Sequence, residues 1–243
     1  MKVIELSEEQ IYDYAICPLR YDSRYNLKIA TQNHPSFKSL LDRVANSFLL
    51  NLMNNKVLST SELKKKWDVT CEGYKDIIDQ NGCISGMGLL MQMYLWAEEQ
   101  ELCVSDLKSP FLHRIAGSNP PVNIRGETAE ALIVKDRKSY ELLVIDFSPR
   151  YPDQALIDMK TKYTLDWAVY KNFLPDMKNL GIRIHHVKKN KDWYTFRTEE
   201  SMQRMNASFR NIATCINEKL FYPRENIMCA ACDMKLYCKA WRG

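Results

Sequence analysis

Three cysteines fall within ten residues near the end of the chain, in the run Cys229-Ala-Ala-Cys232-Asp-Met-Lys-Leu-Tyr-Cys238. Two residues separate Cys229 from Cys232, so one loop can present both sulfurs to a single centre. Three clustered thiols leave a four-ligand site one short. Cys17 stands in a Cys17-Pro18 turn more than two hundred residues earlier and is the natural fourth. A fold that lets all four share one centre has to bring the start and the end of the chain together. Thiolates in this number suit zinc or an iron–sulfur cluster, and the spacing does not choose between them. The simpler alternative is three structural cysteines with no metal. Cys71, Cys83, Cys103 and Cys215 stand alone in the sequence and read as core residues.

The setting expected for these thiols is reducing. No run approaches the roughly 18 continuous apolar residues of a membrane span, and the opening MKVIELSEEQ lacks the apolar core of a signal peptide. The expectation is a cytoplasmic protein with no membrane partner, in which eight cysteines serve as metal ligands or core residues rather than disulfides. A net charge of +4 permits a nucleic-acid partner without demanding one. Lys188, Lys189, Lys191, Lys235, Lys239 and Arg242 crowd the C-terminal part, where a solvated face is the plain reading.

Along the chain, Ser7 with Gln10 three residues on reads as a capping box that starts a helix, and Cys17-Pro18 ends it. Arg20, Tyr21, Arg24 and Tyr25 follow as a basic-aromatic cluster. Phe37, Leu40, Leu41, Val44, Phe48 and Leu49 set out an amphipathic helix over 36–55. Residues 59–102 read as helical throughout, with the basic run Lys64, Lys65, Lys66 and a Met-rich core stripe at 87–95. SPFLHRIAG, VNIRGETAEALIV and YELLVIDFS then read as strands, with a polar hairpin at 136–139. Residues 153–179 return to helix, GIRIHHV and DWYTFRT form a strand pair, and 199–220 closes as a helix. The sequence predicts a mixed α/β core with helical additions. In one domain over 1–243, residues 1–30 and 221–243 form a cluster-binding part, 36–102 a helical insertion and 103–198 the central strands.

These residues carry a resemblance. The run L-S-x-x-Q-I-x-x-Y-x-x-C-P-L-R-Y, from Leu6 to Tyr21, and the C-terminal F-Y-P-R-E-N-x-x-C-x-x-C-x-x-x-x-x-C resemble the RecB-like branch of the PD-(D/E)XK nucleases. Within that branch they are similar to the subgroup with a four-cysteine iron–sulfur cluster, which includes CRISPR-adaptation and AddB-type nucleases. The resemblance implies a restriction-endonuclease-like core. It also implies a [4Fe–4S] cluster on Cys17, Cys229, Cys232 and Cys238, tying the chain ends together and stabilising the core.

The same resemblance implies an acidic site for Mg2+ or Mn2+, and here the sequence departs from the pattern. The first element reads Gly126-Glu127-Thr128-Ala129-Glu130, with Ala129 where an aspartate is expected. Glu127 or Glu130 substitutes only if the strand shifts or bulges, because neighbours in a strand face opposite sides. The second element reads Ile145-Asp146-Phe147-Ser148, with Asp146 in place and Ser148 where the lysine belongs. Lys160 or Lys162 would have to supply that charge. Asp166 stands for the glutamine of a Q-x-x-x-Y signature that keeps Tyr170. Lys108 lies where an acidic residue is common. The early helix offers Asp42 and Asn46 rather than a histidine, and His34 comes before it.

The leading expectation is therefore a DNA-binding or structural subunit with an impaired catalytic site, working with DNA or inside a protein complex. An active exonuclease with a rearranged site is the second expectation, and a zinc-stapled interaction domain (Zn2+) the third. Arg20, Arg24, Lys64, Lys65, Lys188, Lys189 and Lys191 are the expected phosphate contacts. Tyr21 and Tyr25 read either as stacking platforms or as core. His185 and His186, adjacent on a strand, would face opposite sides, and His113 reads as structural.

Overall fold

The computed structural model describes residues 3–29, 35–56, 58–107, 109–128, 131–136, 139–150, 153–173 and 180–238. In chain order it contains β1 (Ile4–Ser7), α1 (Glu8–Ile16), α2 (Pro18–Tyr21), a π-helical turn (Asp22–Asn26), α3 (Phe37–Met53), α4 (Thr60–Gly73) and α5 (Gln80–Glu99). Strands β2 (Cys103–Asp106), β3 (Pro110–Ile115), β4 (Val122–Glu127), β5 (Ala131–Asp136) and β6 (Ser139–Asp146) follow. Then come α6 (Gln154–Met159), α7 (Thr161–Phe173), β7 (Gly181–His186), β8 (Lys191–Phe196), α8 (Glu199–Asn217) and two short 3-10 turns at Ile227–Ala231 and Lys235–Tyr237. Short polar side chains start the helices by accepting otherwise unsatisfied N–H groups. Ser7, Ser36, Ser59, Asp79 and Asp153 do this for α1, α3, α4, α5 and α6, and Ser7 with Gln10 forms the expected capping box. Among the described residues no helix is long and apolar enough to cross a membrane.

The architecture is mixed α/β, as expected, and the chain divides into two compact units. The first comprises Met1–Asn33, Pro110–Glu127 and Glu199–Gly243. Its sheet has the order β1-β4-β3, with β1 parallel and β3 antiparallel to β4. Strict alternation turns Phe111, His113 and Ile115 of β3 inward and leaves Leu112 outside. Phe209 of α8 meets Tyr12 of α1 edge-on, and Asn206 of α8 reaches His113 at 3.3 Å. Gly126 lies opposite Phe111, where a side chain would collide with the phenylalanine ring.

The second unit comprises His34–Ser109 and Thr128–Thr198. Its sheet has the order β2-β5-β6-β7-β8, antiparallel except for the β6–β7 pair. Every residue of β7 is buried, and so are the eight residues Tyr163–Tyr170 of α7. A continuous apolar core joins Leu40, Leu41, Val44 and Phe48 of α3 to Leu63 and Trp67 of α4, Leu90 and Met93 of α5, and Ile133 and Leu143 of the sheet. The Met-rich stripe contributes to it as expected. Gly86 gives Trp67 its place, since a Cβ there would overlap the indole ring, whose N–H donates to the Cys83 carbonyl at 2.7 Å.

Several expectations are corrected. The helix over 59–102 is two helices, because Gly73 ends α4 and Asp79 caps α5. The stretch read as one strand over 122–134 is split between two sheets, β4 in the first unit and β5 in the second, so the central strands do not form a single sheet. β1 and β2, four residues each, carry no readable period. Cys71 lies in the core and Cys83 packs against it, as expected, but the two are not isolated. They are joined as a disulfide between α4 and α5, with Cα atoms 6.0 Å apart. β5 and β6 pair antiparallel as far as Asp136 and Ser139, the residues that flank the expected turn. Arg137, Lys138, His34, Lys108, Ala129, Glu130, Lys239 and Arg242 lie outside the described residues.

Candidate functional site

In the first unit, the tail after α8 runs back along the turn between α1 and α2. The Tyr14 hydroxyl donates to the Leu220 carbonyl at 2.6 Å, and the Leu19 N–H to the Tyr222 carbonyl at 3.1 Å. Arg224 and Asn226 donate to the carbonyls of Ala15 and Ile16, both at 3.0 Å. Each of these bonds satisfies a polar group at a helix end or in a loop that the elements themselves leave open.

This arrangement brings Cys17, Cys229, Cys232 and Cys238 onto the wall of one cavity of about 250 Å³. All four are half-buried free thiols. The Asn226 amide donates to Cys229 Sγ at 3.3 Å and the Arg224 amide to Cys17 Sγ at 3.4 Å. Arg20, Arg224 and Lys235 line the same cavity against one carboxylate, Glu225. The donor set therefore fits a soft, anionic metal group. Among the described residues no three His, Cys, Asp or Glu side chains gather closely enough to hold one metal ion. The four cysteines share the lining of one cavity, and zinc or an iron–sulfur group both match thiolate donors of this kind.

Arg20 and Arg24, expected to touch DNA phosphates, are engaged within the protein. Arg24 donates to Asp13 at 2.8 Å and also to Asp233, while Arg20 lies 3.2 Å from Asp13 and 3.7 Å from Asp233. Asp233 directly follows Cys232, so this network fastens the cysteine loop to the N-terminal helices. Burial pulls the Asp233 carboxyl upward, but its bond to Arg24 and the charges of both arginines outweigh that and hold it below the ordinary range. Tyr21 is buried against Tyr14, Tyr25 and Phe221. Tyr25 donates to Asp13 at 3.0 Å, and burial with that carboxylate pushes its phenol up to about 12. Tyr21 is a core residue and Tyr25 is half-buried.

In the second unit, β6 ends on Asp146. Its Oδ1 accepts the Ser148 N–H at 3.0 Å and the Ser148 hydroxyl as well. The position where the resemblance expects a lysine is thus occupied by a side chain that closes onto the aspartate. Asp42 of α3 lies in the same field. Burial raises its carboxyl pKa, Lys38 bonded at 2.9 Å lowers it, the Asp146 charge raises it further, and Lys160 lowers it. Lys160, just past α6, donates through Nζ to the Tyr163 hydroxyl at 3.1 Å. Arg197 fixes that corner by donating to the carbonyls of Ile157 and Lys160. Lys162 instead pairs with the fully buried Asp166 at 2.7 Å. The Tyr170 hydroxyl meets that of Thr128 at 3.0 Å.

Glu127 is an exposed residue at the end of β4, in the first unit, and Glu130 lies outside the described residues. Of the expected catalytic set, Asp146 and Lys160 both act through their charges on the Asp42 carboxyl. Asp42 stands 104 residues before Asp146, in the early helix where the resemblance expects a histidine ligand.

The remaining basic residues lie apart. Lys64 pairs with Asp68 at 2.6 Å on the surface of α4, and Lys65 is exposed beside it. Lys188, Lys189 and Lys191 are exposed around the turn between β7 and β8, where Lys191 lies over the Trp193 ring. His185 and His186 have different partners, Asp192 at 2.8 Å and the Arg150 carbonyl at 3.1 Å. His113 is structural, as expected, and burial lowers its pKa against a weaker opposing effect of its bond to Asn206.

No family model and no curated protein matches the chain. A solved structure described as the crystal structure of SSO0001 is similar over 92% of this chain and 94% of its own, at 13% identity and a TM-score of 0.40.

Proposed function

We propose that this chain is an iron–sulfur protein of RecB-like nuclease type that binds DNA as a structural or binding subunit, with its cutting site impaired. The cavity walled by Cys17, Cys229, Cys232 and Cys238 is the observation that carries the reading. Those residues would hold a [4Fe–4S] cluster, whose contribution is a cross-link between the first and last stretches of the chain. The tail itself supports the need for such a link. Ile227 is 93% exposed, Tyr222 and Tyr237 are more than half exposed, and among the described side chains of the cysteine loop Met234 is the buried apolar one. Little hydrocarbon burial is available there to offset the cost of ordering the loop, about 1–2 kcal/mol per residue of backbone.

The loss of cutting is supported by Ser148 in the lysine position, bonded to Asp146. A serine carries no charge with which to orient or activate an attacking water beside a metal. Asp42 with Lys160 favours a second reading, an active nuclease with a rearranged acidic site.

Anaerobic purification tests the first part. A brown protein containing iron and acid-labile sulfide is expected, and a colourless one with bound zinc would establish the zinc-stapled alternative. Incubating that protein with single- and double-stranded DNA and Mg2+ or Mn2+ tests the second part. Salt-sensitive binding without cleavage is expected. Cleavage abolished by Asp146→Ala would overturn the impaired reading in favour of the active one.

A further inference from the structure

A groove of about 320 Å³ runs between α3 and α4, lined by Arg43, Val44 and Ser47 from one helix and Lys65, Lys66, Val69 and Thr70 from the other. It contains three cations and no carboxylate. Its polar groups repeat at one-turn intervals, Arg43 with Ser47 and Lys66 with Thr70, so each helix offers about 6 Å of length to whatever lies in the groove. Two of the three cations are held in place. Arg43 donates to the Tyr74 hydroxyl at 3.0 Å and lies over its ring, and Lys66 Nζ donates to the Ser47 hydroxyl at 2.8 Å. Val44 is buried beneath them. The neighbouring Lys64, outside the groove, is neutralised by Asp68.

We propose that this groove seats the phosphodiester backbone of nucleic acid, with Arg43, Lys65 and Lys66 as its cations. The proposal rests on the DNA-binding reading and gives that reading a location. An enclosed site with converging donors grips a single small anion. Cations strung along two helices, with hydroxyls between them and no carboxylate in the groove lining, suit a chain of phosphates. The groove reads no base. It contributes register and affinity, and its binding is sequence-independent.

The test uses the full chain and a fluorescein-labelled DNA duplex, with anisotropy followed across a salt series. Each cation that displaces counterions contributes about 0.9 to the slope of log affinity against log salt. Replacing Arg43, Lys65 and Lys66 together by Gln is expected to weaken binding and flatten the slope by up to about 3. Lys65→Arg with Lys66→Arg is expected to keep both, which separates charge from any effect on folding. If the wild type binds and the triple variant keeps its affinity and slope, the groove is not the seat. If the wild type does not bind DNA at all, the DNA-binding reading itself fails. Equal binding of a polyglutamate peptide would point to an acidic protein partner and overturn the assignment to nucleic acid.

Discussion

The two units hold themselves together by different means. The second closes on hydrocarbon: three helices bury Leu40, Phe48, Leu63, Trp67, Leu90 and Met93 against the sheet, and a disulfide joins α4 to α5. The cysteine loop of the first is fastened by carbonyl caps and by arginine–aspartate pairs. The lesson is that a region can be held to its neighbours through paired polar groups as well as through apolar burial. The two kinds of cohesion fail under different insults.

The largest contrast is expected from Cys17→Ser or Cys238→Ser. Either should remove most of the visible chromophore and abolish amide-exchange protection over residues 222–238, while α3–α5 keep theirs. Unchanged tail protection would show that the loop needs no ligand. Gly86→Ala tests the other unit. Its methyl has to displace Trp67, at an expected cost of about 1–3 kcal/mol. That corresponds to a fall in Tm of at least about 2 °C, with the chromophore intact.

Asp233→Asn should cost about 1 kcal/mol, screened by solvent on both sides of the pair. The stabilisation it removes has a definite pH range. Because Asp233 lies below its ordinary value of 3.8 in the folded chain, the stabilisation is fully present above pH 3.8 and is lost as pH falls through the depressed value. Urea unfolding across acidic pH measures it. His113 acts earlier on the same scale. Its folded value lies below the ordinary 6.5, so the unfolded chain takes up a proton that the buried imidazole refuses. Stability should therefore decline as pH drops below 6.5, and His113→Gln should flatten that part of the curve.

The smallest effect concerns the acid pair. Asp42 is raised above 3.8, so its contribution to stability is greatest below that pH and declines as pH rises through the raised value. Asp42→Asn should lift Tm at neutral pH, by no more than about 2 °C. A lower Tm would mean that the carboxylate is structural.

Much of this was legible because it is local. The Ser7–Gln10 capping box, the break at Cys17-Pro18, the Met-rich stripe and the burial of His113 each follow from a few neighbouring residues. What was missed depends on partners distant in sequence. Arg20 and Arg24 look free until Asp233 arrives from the other end, and Asp42 gains its meaning from Asp146. Cys71 and Cys83 look isolated until α4 and α5 lie side by side. The division of β4 from β5 was hidden because an apolar pattern in the sequence does not say which sheet a strand joins.

One arrangement has a consequence in time. The first unit is assembled from an opening stretch, a middle hairpin and a closing stretch, whereas the second lies entirely between residues 34 and 198. A ribosome delivers the whole of the second unit before α8 exists. Cys17 must then wait for Cys229, Cys232 and Cys238, the last of its group to be translated. Any machinery that loads these thiols therefore meets a chain whose other half has already had the opportunity to fold.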